Sequence, residues 1–222
     1  FVLVIVGVAG NISIATSVAV AINSIASRGS RDLFRTIYFL PTIAPIAAVA
    51  IVFRYMLDPR YGIHNMILGI IGEQKMMYWL SDPTLAMGSV IVMTLWQDFG
   101  INMVIILAGL YSIPHVFYEA SLIDGATKWQ QFWRITLPLL VRTMLFVSVM
   151  TVIAYFQIFT QVRILTDGKP DFSTQVIALS IYQDAFERLR MGYASAMAVV
   201  LLVIIMIASL VQFRAIKVDW EY

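Results

Sequence analysis

Val199-Val200-Leu201-Leu202-Val203-Ile204-Ile205-Met206 is an unbroken apolar stretch within a longer run at roughly 193–213. A strand of a transmembrane barrel has about ten residues of alternating polarity, and this continuous run contradicts that pattern. A helix needs about 20 apolar residues to cross the hydrocarbon core, and only helices and closed barrels satisfy their backbone there. Working outward from this run, four more qualify, at roughly 1–26, 36–57, 85–110 and 139–163, separated by polar stretches with turn residues. The expected fold is therefore all-α, a polytopic transmembrane helical bundle of about five spans.

Composition agrees. Hydrophobic residues make up 60% of the 222 residues and charged ones 13%, with a mean hydropathy of +0.85, far from the balance of a soluble domain. The net charge of +2 is small and scattered, which excludes the clustered basic face of a nucleic-acid binder. There is no cysteine, hence no disulfide framework and no thiolate chemistry. Residues 1–25 carry no basic segment before the apolar run and exceed a secretory signal's apolar core, so they read as a span. The chain starts at Phe1, already inside that run, and at least one further span is expected before it. No repeat, low-complexity tract or linker divides residues 1–222, which read as a single membrane domain.

Between the third and fourth runs lies Glu119-Ala120-Ser121-Leu122-Ile123-Asp124-Gly125-Ala126, and beyond it Ile135-Thr136-Leu137-Pro138. Ser112 and Pro114 suit a helix start, Gly125 suits a sharp turn, and Pro138 is expected to break the surface helix from the next span. The result is a short helix, a turn and a second helix at the membrane surface. Ala120 and Ser121 are expected to leave one face nearly flat, with Glu119 offering a charge to a basic partner group. An amphipathic connector with small residues for local packing is the alternative.

This stretch resembles the cytoplasmic coupling loop of the membrane subunits of ABC importers. That family's pattern is Glu-Ala-Ala, three residues, Gly, nine residues, then Ile-x-Leu-Pro; every spacing is met, with Ser121 in place of the second Ala. The resemblance covers nearly the whole chain. Gly62-Ile63-His64-Asn65 after the second run, Leu165-Thr166-Asp167-Gly168-Lys169-Pro170 with Thr174, Tyr182 and Phe186 downstream, and Gly192-Tyr193-Ala194-Ser195-Ala196 resemble the carbohydrate branch, the maltose and glycerol-phosphate permeases. Lys169 departs from that branch's usual Gly-Gly-Pro. The resemblance implies a cytoplasmic coupling helix that seats in the ATP-hydrolysing subunit, with Glu119, Ala120, Ser121, Asp124, Gly125, Ile135, Leu137 and Pro138 as the coupling residues. It also implies a second homologous permease subunit, two ATP-binding cassette subunits holding ATP and Mg, and an extracytoplasmic solute-binding protein meeting the loops around 58–84 and 164–192. No cofactor is expected in this chain itself. The location implied is the bacterial or archaeal cytoplasmic (inner) membrane.

Basic residues divide eight against seven of the 15 lysines and arginines, too evenly to orient the chain. Arg28, Arg31, Arg35, Lys128, Arg134, Arg142, Arg214 and Lys217 fall on the side that the resemblance places inside. Arg54, Arg60, Lys75, Arg163, Lys169, Arg188 and Arg190 fall on the other.

Polar residues at membrane depth are candidates for a substrate path. Trp96, Asp98 and Asn102 interrupt the third run, Asp98 and Asn102 sharing a helical face; Tyr155, Gln157 and Gln161 do the same in the fourth, Gln157 and Gln161 on one face. Amides, carboxylates and aromatic faces are what a sugar site uses. The competing reading is interhelical hydrogen bonding that only holds the bundle together. Asn11, Ser13, Thr16 and Ser17 are assigned to packing.

No phosphate-binding loop or His-Glu-x-x-His is present, and His64 and His115 lie in separate loops, so the chain is not read as an enzyme. The function expected is that of an importer permease for a sugar or sugar derivative. The alternatives are a permease for an amino acid, phosphate or peptide, and an ion-coupled secondary carrier, whose inverted repeats are not evident here. A membrane scaffold or intramembrane enzyme is disfavoured by the lack of a nucleophile and base.

Overall fold

The structure is a computed structural model that describes residues 1–71 and 76–215; Lys75 and Lys217, counted above for orientation, lie outside the described residues. All regular elements among the described residues are helical, the short α4 (Ile63–Ile71) and α10 (Ile177–Tyr182) included. Four helical segments are long and apolar enough to cross a membrane, and a bent pair makes a fifth candidate.

α5 (Pro83–Ser112) is the axis of the bundle. Its Asp82 cap accepts a hydrogen bond from the Thr84 backbone N–H at 2.8 Å, and Pro83 opens its first turn, where a missing N–H is harmless. At 30 residues it is about 45 Å long, more than the hydrocarbon thickness. α1 (Val2–Asn23) packs along it through a stripe of buried residues at helical spacing, Leu3, Gly7, Asn11, Ala15, Ala19 and Ile22, several of them small enough to let the backbones approach. α11 (Met191–Ala215) is the most apolar span and the least buried, with Val199, Val200 and Leu202 more than half exposed. Its outer face meets lipid or protein rather than this core.

The run expected as one span at 36–57 is broken. α2 (Arg28–Ile43) and α3 (Ile46–Met56) meet at 92°. Pro45 cannot donate to the ladder and pushes Ala44 into extended backbone (ψ 138°), so the helix cannot continue through this pair. α5 holds the bend: Gln97 Nε2 donates to the Ala44 carbonyl at 3.0 Å, and Thr42 Oγ1 donates to the Gln97 carbonyl at 2.8 Å. Gly100 makes the approach possible, since a Cβ there would lie 2.5 Å from the Tyr38 carbonyl oxygen.

The fourth run also differs. α8 (Leu137–Phe156) stops short of 163, and after Gln157–Phe159 a separate helix α9 (Thr160–Leu165) turns to pack on α3. Burial of Ile158, Val162 and Leu165 in the apolar cluster at this end compensates the lost backbone continuity.

Candidate functional site

α6 (His115–Ile123) and α7 (Lys128–Gln131) form the helix-turn-helix expected between the third and fourth runs. Gly125 sits at φ +74°, the left-handed region that glycine enters without strain. Thr127 and Gln130 form a reciprocal capping box that starts α7. Three local expectations are corrected. Ser112 does not cap α6, because its hydroxyl turns back to the Gly109 carbonyl at 2.8 Å. Pro138 does not break the helix: α7 runs through a π turn (Phe132–Thr136) into α8, the Leu137 N–H reaching back to the Phe132 carbonyl. The wider turn accommodates the proline without ending the rod.

Ser121 is the third. Expected on a flat outward face, it is buried instead, donating to the Tyr118 carbonyl at 2.7 Å and accepting from Gln131 Nε2 at 2.9 Å. Tyr118 and Thr136 share a further hydrogen bond of 2.9 Å. These links tie α6 to the rod that becomes α8. The outward face is made by Glu119, Ala120, Leu122, Ile123, Asp124 and Gly125, all exposed, with Ile123 at 87%. Ile135 and Leu137 lie partly buried on the rod, and Pro138 is exposed. An exposed apolar patch rimmed by carboxylates and braced from behind is suited to seat in another protein.

At membrane depth the polar residues divide into two groups. Asn102 Nδ2 donates to Asn11 Oδ1 at 2.6 Å and to Thr151 Oγ1 at 2.9 Å, and Asn11 Nδ2 donates to the Tyr155 hydroxyl at 3.0 Å. All four are less than 8% exposed and join α1, α5 and α8 in one polar layer between two apolar clusters. Gly7 admits the Tyr155 ring, for a Cβ there would lie 2.7 Å from its Cε2. Asn102 and Tyr155 are thus occupied by protein in this conformation.

The second group is less enclosed. Trp96 is 45% exposed and packs on Phe53 with ring centroids 5.4 Å apart. Asp98 is half-buried, one turn from Asn102, and Gln157 is exposed. Gln157 and Gln161 do not share a helical face, since the helix ends between them; Gln161 is buried on α9. Sequence reasoning missed Thr42, Gln97 and Gly100 as the clasp on the α2–α3 bend and Thr151 in the polar layer. Pro41 and Pro45 inside an apolar run were the available signal for the first; a lone threonine on an apolar helix offered none for the second.

The family model described as "Binding-protein-dependent transport system inner membrane component" matches residues 11–216. The chain is 38% identical over 190 residues to "Probable ABC transporter permease protein YurN" of Bacillus subtilis, covering 85% of this chain and 65% of that protein. It is 34% identical to the lactose transport system permease protein LacF of Rhizobium radiobacter, covering 93% of this chain and 70% of that protein. The chain thus spans about two thirds of the length of these relatives. Among solved structures, a bacterial alginate ABC transporter in complex with an alginate pentasaccharide-bound periplasmic protein is similar, with a TM-score of 0.87 and 28% identity over 95% of this chain and 73% of that one.

Proposed function

The chain belongs to the binding-protein-dependent transport system inner membrane components, a family of transport permeases rather than enzymes, and from that premise we propose that it is one permease subunit of an ATP-driven importer for a sugar or sugar derivative. The observation that carries the reading is the braced α6–α7 element. Its exposed face at 119–125 is rigidly joined to α8 through Ser121–Gln131 and Tyr118–Thr136, so a push on that face moves a membrane span. ATP and Mg belong to two partner ATPase subunits, whose closure drives the motion at the cytoplasmic side. Sugar specificity is supported by the lactose permease and the alginate transporter to which the chain is similar.

The passage requires a second permease subunit. Asp98, Gln157 and Trp96 supply only one polar flank, whereas a sugar needs hydrogen bonds over most of its surface. Reconstitution tests this. The chain alone in vesicles is expected neither to hydrolyse ATP nor to move solute, and activity is expected only with a second permease, the ATPase dimer and a solute-binding protein. Uptake by the lone chain that follows a proton or sodium gradient would move it to the ion-coupled carriers.

Asp98 and Gln157 are proposed as path residues, and Asn102 and Tyr155 as the brace behind them. Asp98→Leu and Gln157→Leu are expected to change uptake affinity or selectivity by about three- to tenfold with normal complex assembly. Asn102→Leu, which strands Asn11 Oδ1, is expected to lower thermal stability by about 0.6–1.7 kcal/mol instead. Detergent-solubilised melting curves beside uptake kinetics separate the two outcomes, and loss of assembly in Asp98→Leu and Gln157→Leu with unchanged selectivity would reverse the assignment.

A further inference from the structure

At the end of the bundle opposite α6–α7, the end of α3, the turn after it, residues 80–81 and the loop after α9 enclose a cavity of about 340 Å³. This lies within the size range of small-molecule sites. Two cations line it, Arg54 and Lys169, together with the Asp58 carboxylate, the Ser81 hydroxyl and the apolar faces of Leu165 and Pro170. Among the described residues, two cations against one carboxylate leave the lining at a formal +1.

Several of the other ionic groups at this end pair with one another. Arg163 holds Asp167 and, at 2.8 Å, Glu187; Arg188 holds Asp184 at 3.1 Å. Asp58 Oδ1 accepts the backbone N–H groups of Arg60 at 2.8 Å and Tyr61 at 3.1 Å, leaving its second oxygen for another donor. Arg54 uses one of its five N–H groups on the Ile164 carbonyl at 3.3 Å, and Lys169 enters no ion pair among the described residues. The Lys169 backbone is anchored rather than loose, its carbonyl accepting from the buried Thr174 hydroxyl at 3.0 Å.

Building on the importer reading above, we propose that this cavity is an entry site for anionic sugar derivatives. The acidic group, a carboxylate, phosphate or sulfonate, sits between Arg54 and Lys169, the apolar face of the ring lies on Leu165 and Pro170, and ring hydroxyls meet Asp58 and Ser81. Cations drawn from two separate segments, with no carboxylate paired to them among the described residues, create an attractive potential for such a group in a partly enclosed space.

The test uses the complete transporter in nanodiscs without its binding protein, titrated with galacturonate and with galactose, which share a ring and differ by a carboxylate. Ligand-observed NMR reads both affinities. Galacturonate is expected to bind at least about fivefold more tightly, the advantage shrinking as salt is raised. Lys169→Gln is expected to weaken galacturonate about fivefold and Lys169→Arg to restore it; the side chain is exposed, so folding is not at stake. Equal affinities for the two sugars, or no effect of Lys169→Gln, would overturn the proposal. So would a Lys169→Gln complex that binds galacturonate normally but captures the binding protein poorly, since the cations would then serve an acidic side chain of that protein. ATP-driven uptake of a neutral sugar by the same transporter reconstituted in sealed vesicles with its binding protein shows that the importer reading stands even where galacturonate fails to bind.

Discussion

Glu119→Lys and Gly125→Leu are each expected to leave the subunit inserted at normal abundance while ATP-driven uptake, and the solute-stimulated ATPase of the assembled complex, fall at least about tenfold. Glu119 is exposed and takes part in no ion pair among the described residues, so reversing its charge disturbs nothing within the chain. At an interface the same reversal sets like charges together, a penalty of several kcal/mol. Gly125 has open space around it, but at φ +74° a leucine side chain adds about 1–2 kcal/mol of strain, and the turn between α6 and α7 is expected to open. Gly125→Asn separates the two causes, because asparagine tolerates the left-handed region and is expected to keep far more activity than leucine. Normal uptake by both primary variants at wild-type abundance would refute the coupling role.

Gly100→Leu is expected to damage the fold severely. The nearest atoms to a new Cβ are the Tyr38 carbonyl oxygen at 2.5 Å, Thr42 Oγ1 at 2.7 Å and Phe39 Cα at 3.1 Å, two of them backbone that no rotamer change can move. Seating the α2–α3 bend on α5 then costs about 3 kcal/mol or more, and the Gln97 bond to Ala44 is lost with it. Steady-state abundance and melting temperature of the detergent-solubilised protein are expected to drop sharply. Gly88→Ala, on the same helix with nothing within 4 Å of its Cβ position, is the matched control and is expected to stay within about 0.5 kcal/mol of wild type. Equal stability of the two variants would show that the bend does not depend on this close approach.

The α6–α7 helix-turn-helix was legible because its determinants are local. Gly125 turns where a glycine was needed, and the spacing from Glu119 to Pro138 places a short helix against a longer one. Ser121 was misplaced for the same reason in reverse: a serine gives no sign of which way it faces until Gln131 and Tyr118 are in position around it.

Sequence by itself determined that the chain is helical, that it spans a membrane several times and that a helix-turn-helix interrupts the spans, since these follow from the length and polarity of contiguous segments and from single residues such as Gly125. It also contained Pro45, which forbids a straight helix, but not the direction of the resulting bend. Only the tertiary structure decided that the bend closes on Gln97 and Gly100, that Asn102 and Tyr155 meet Asn11 and Thr151 in a buried layer while Asp98 and Gln157 do not, and that α8 ends at Phe156 with neither Pro nor Gly to stop it. In lipid, polar groups must find partners on other helices and apolar residues are welcome on every side, so the hydrophobic pattern alone carries little information about which face turns inward. That choice belongs to contacts between residues about 50 to 144 positions apart in the chain.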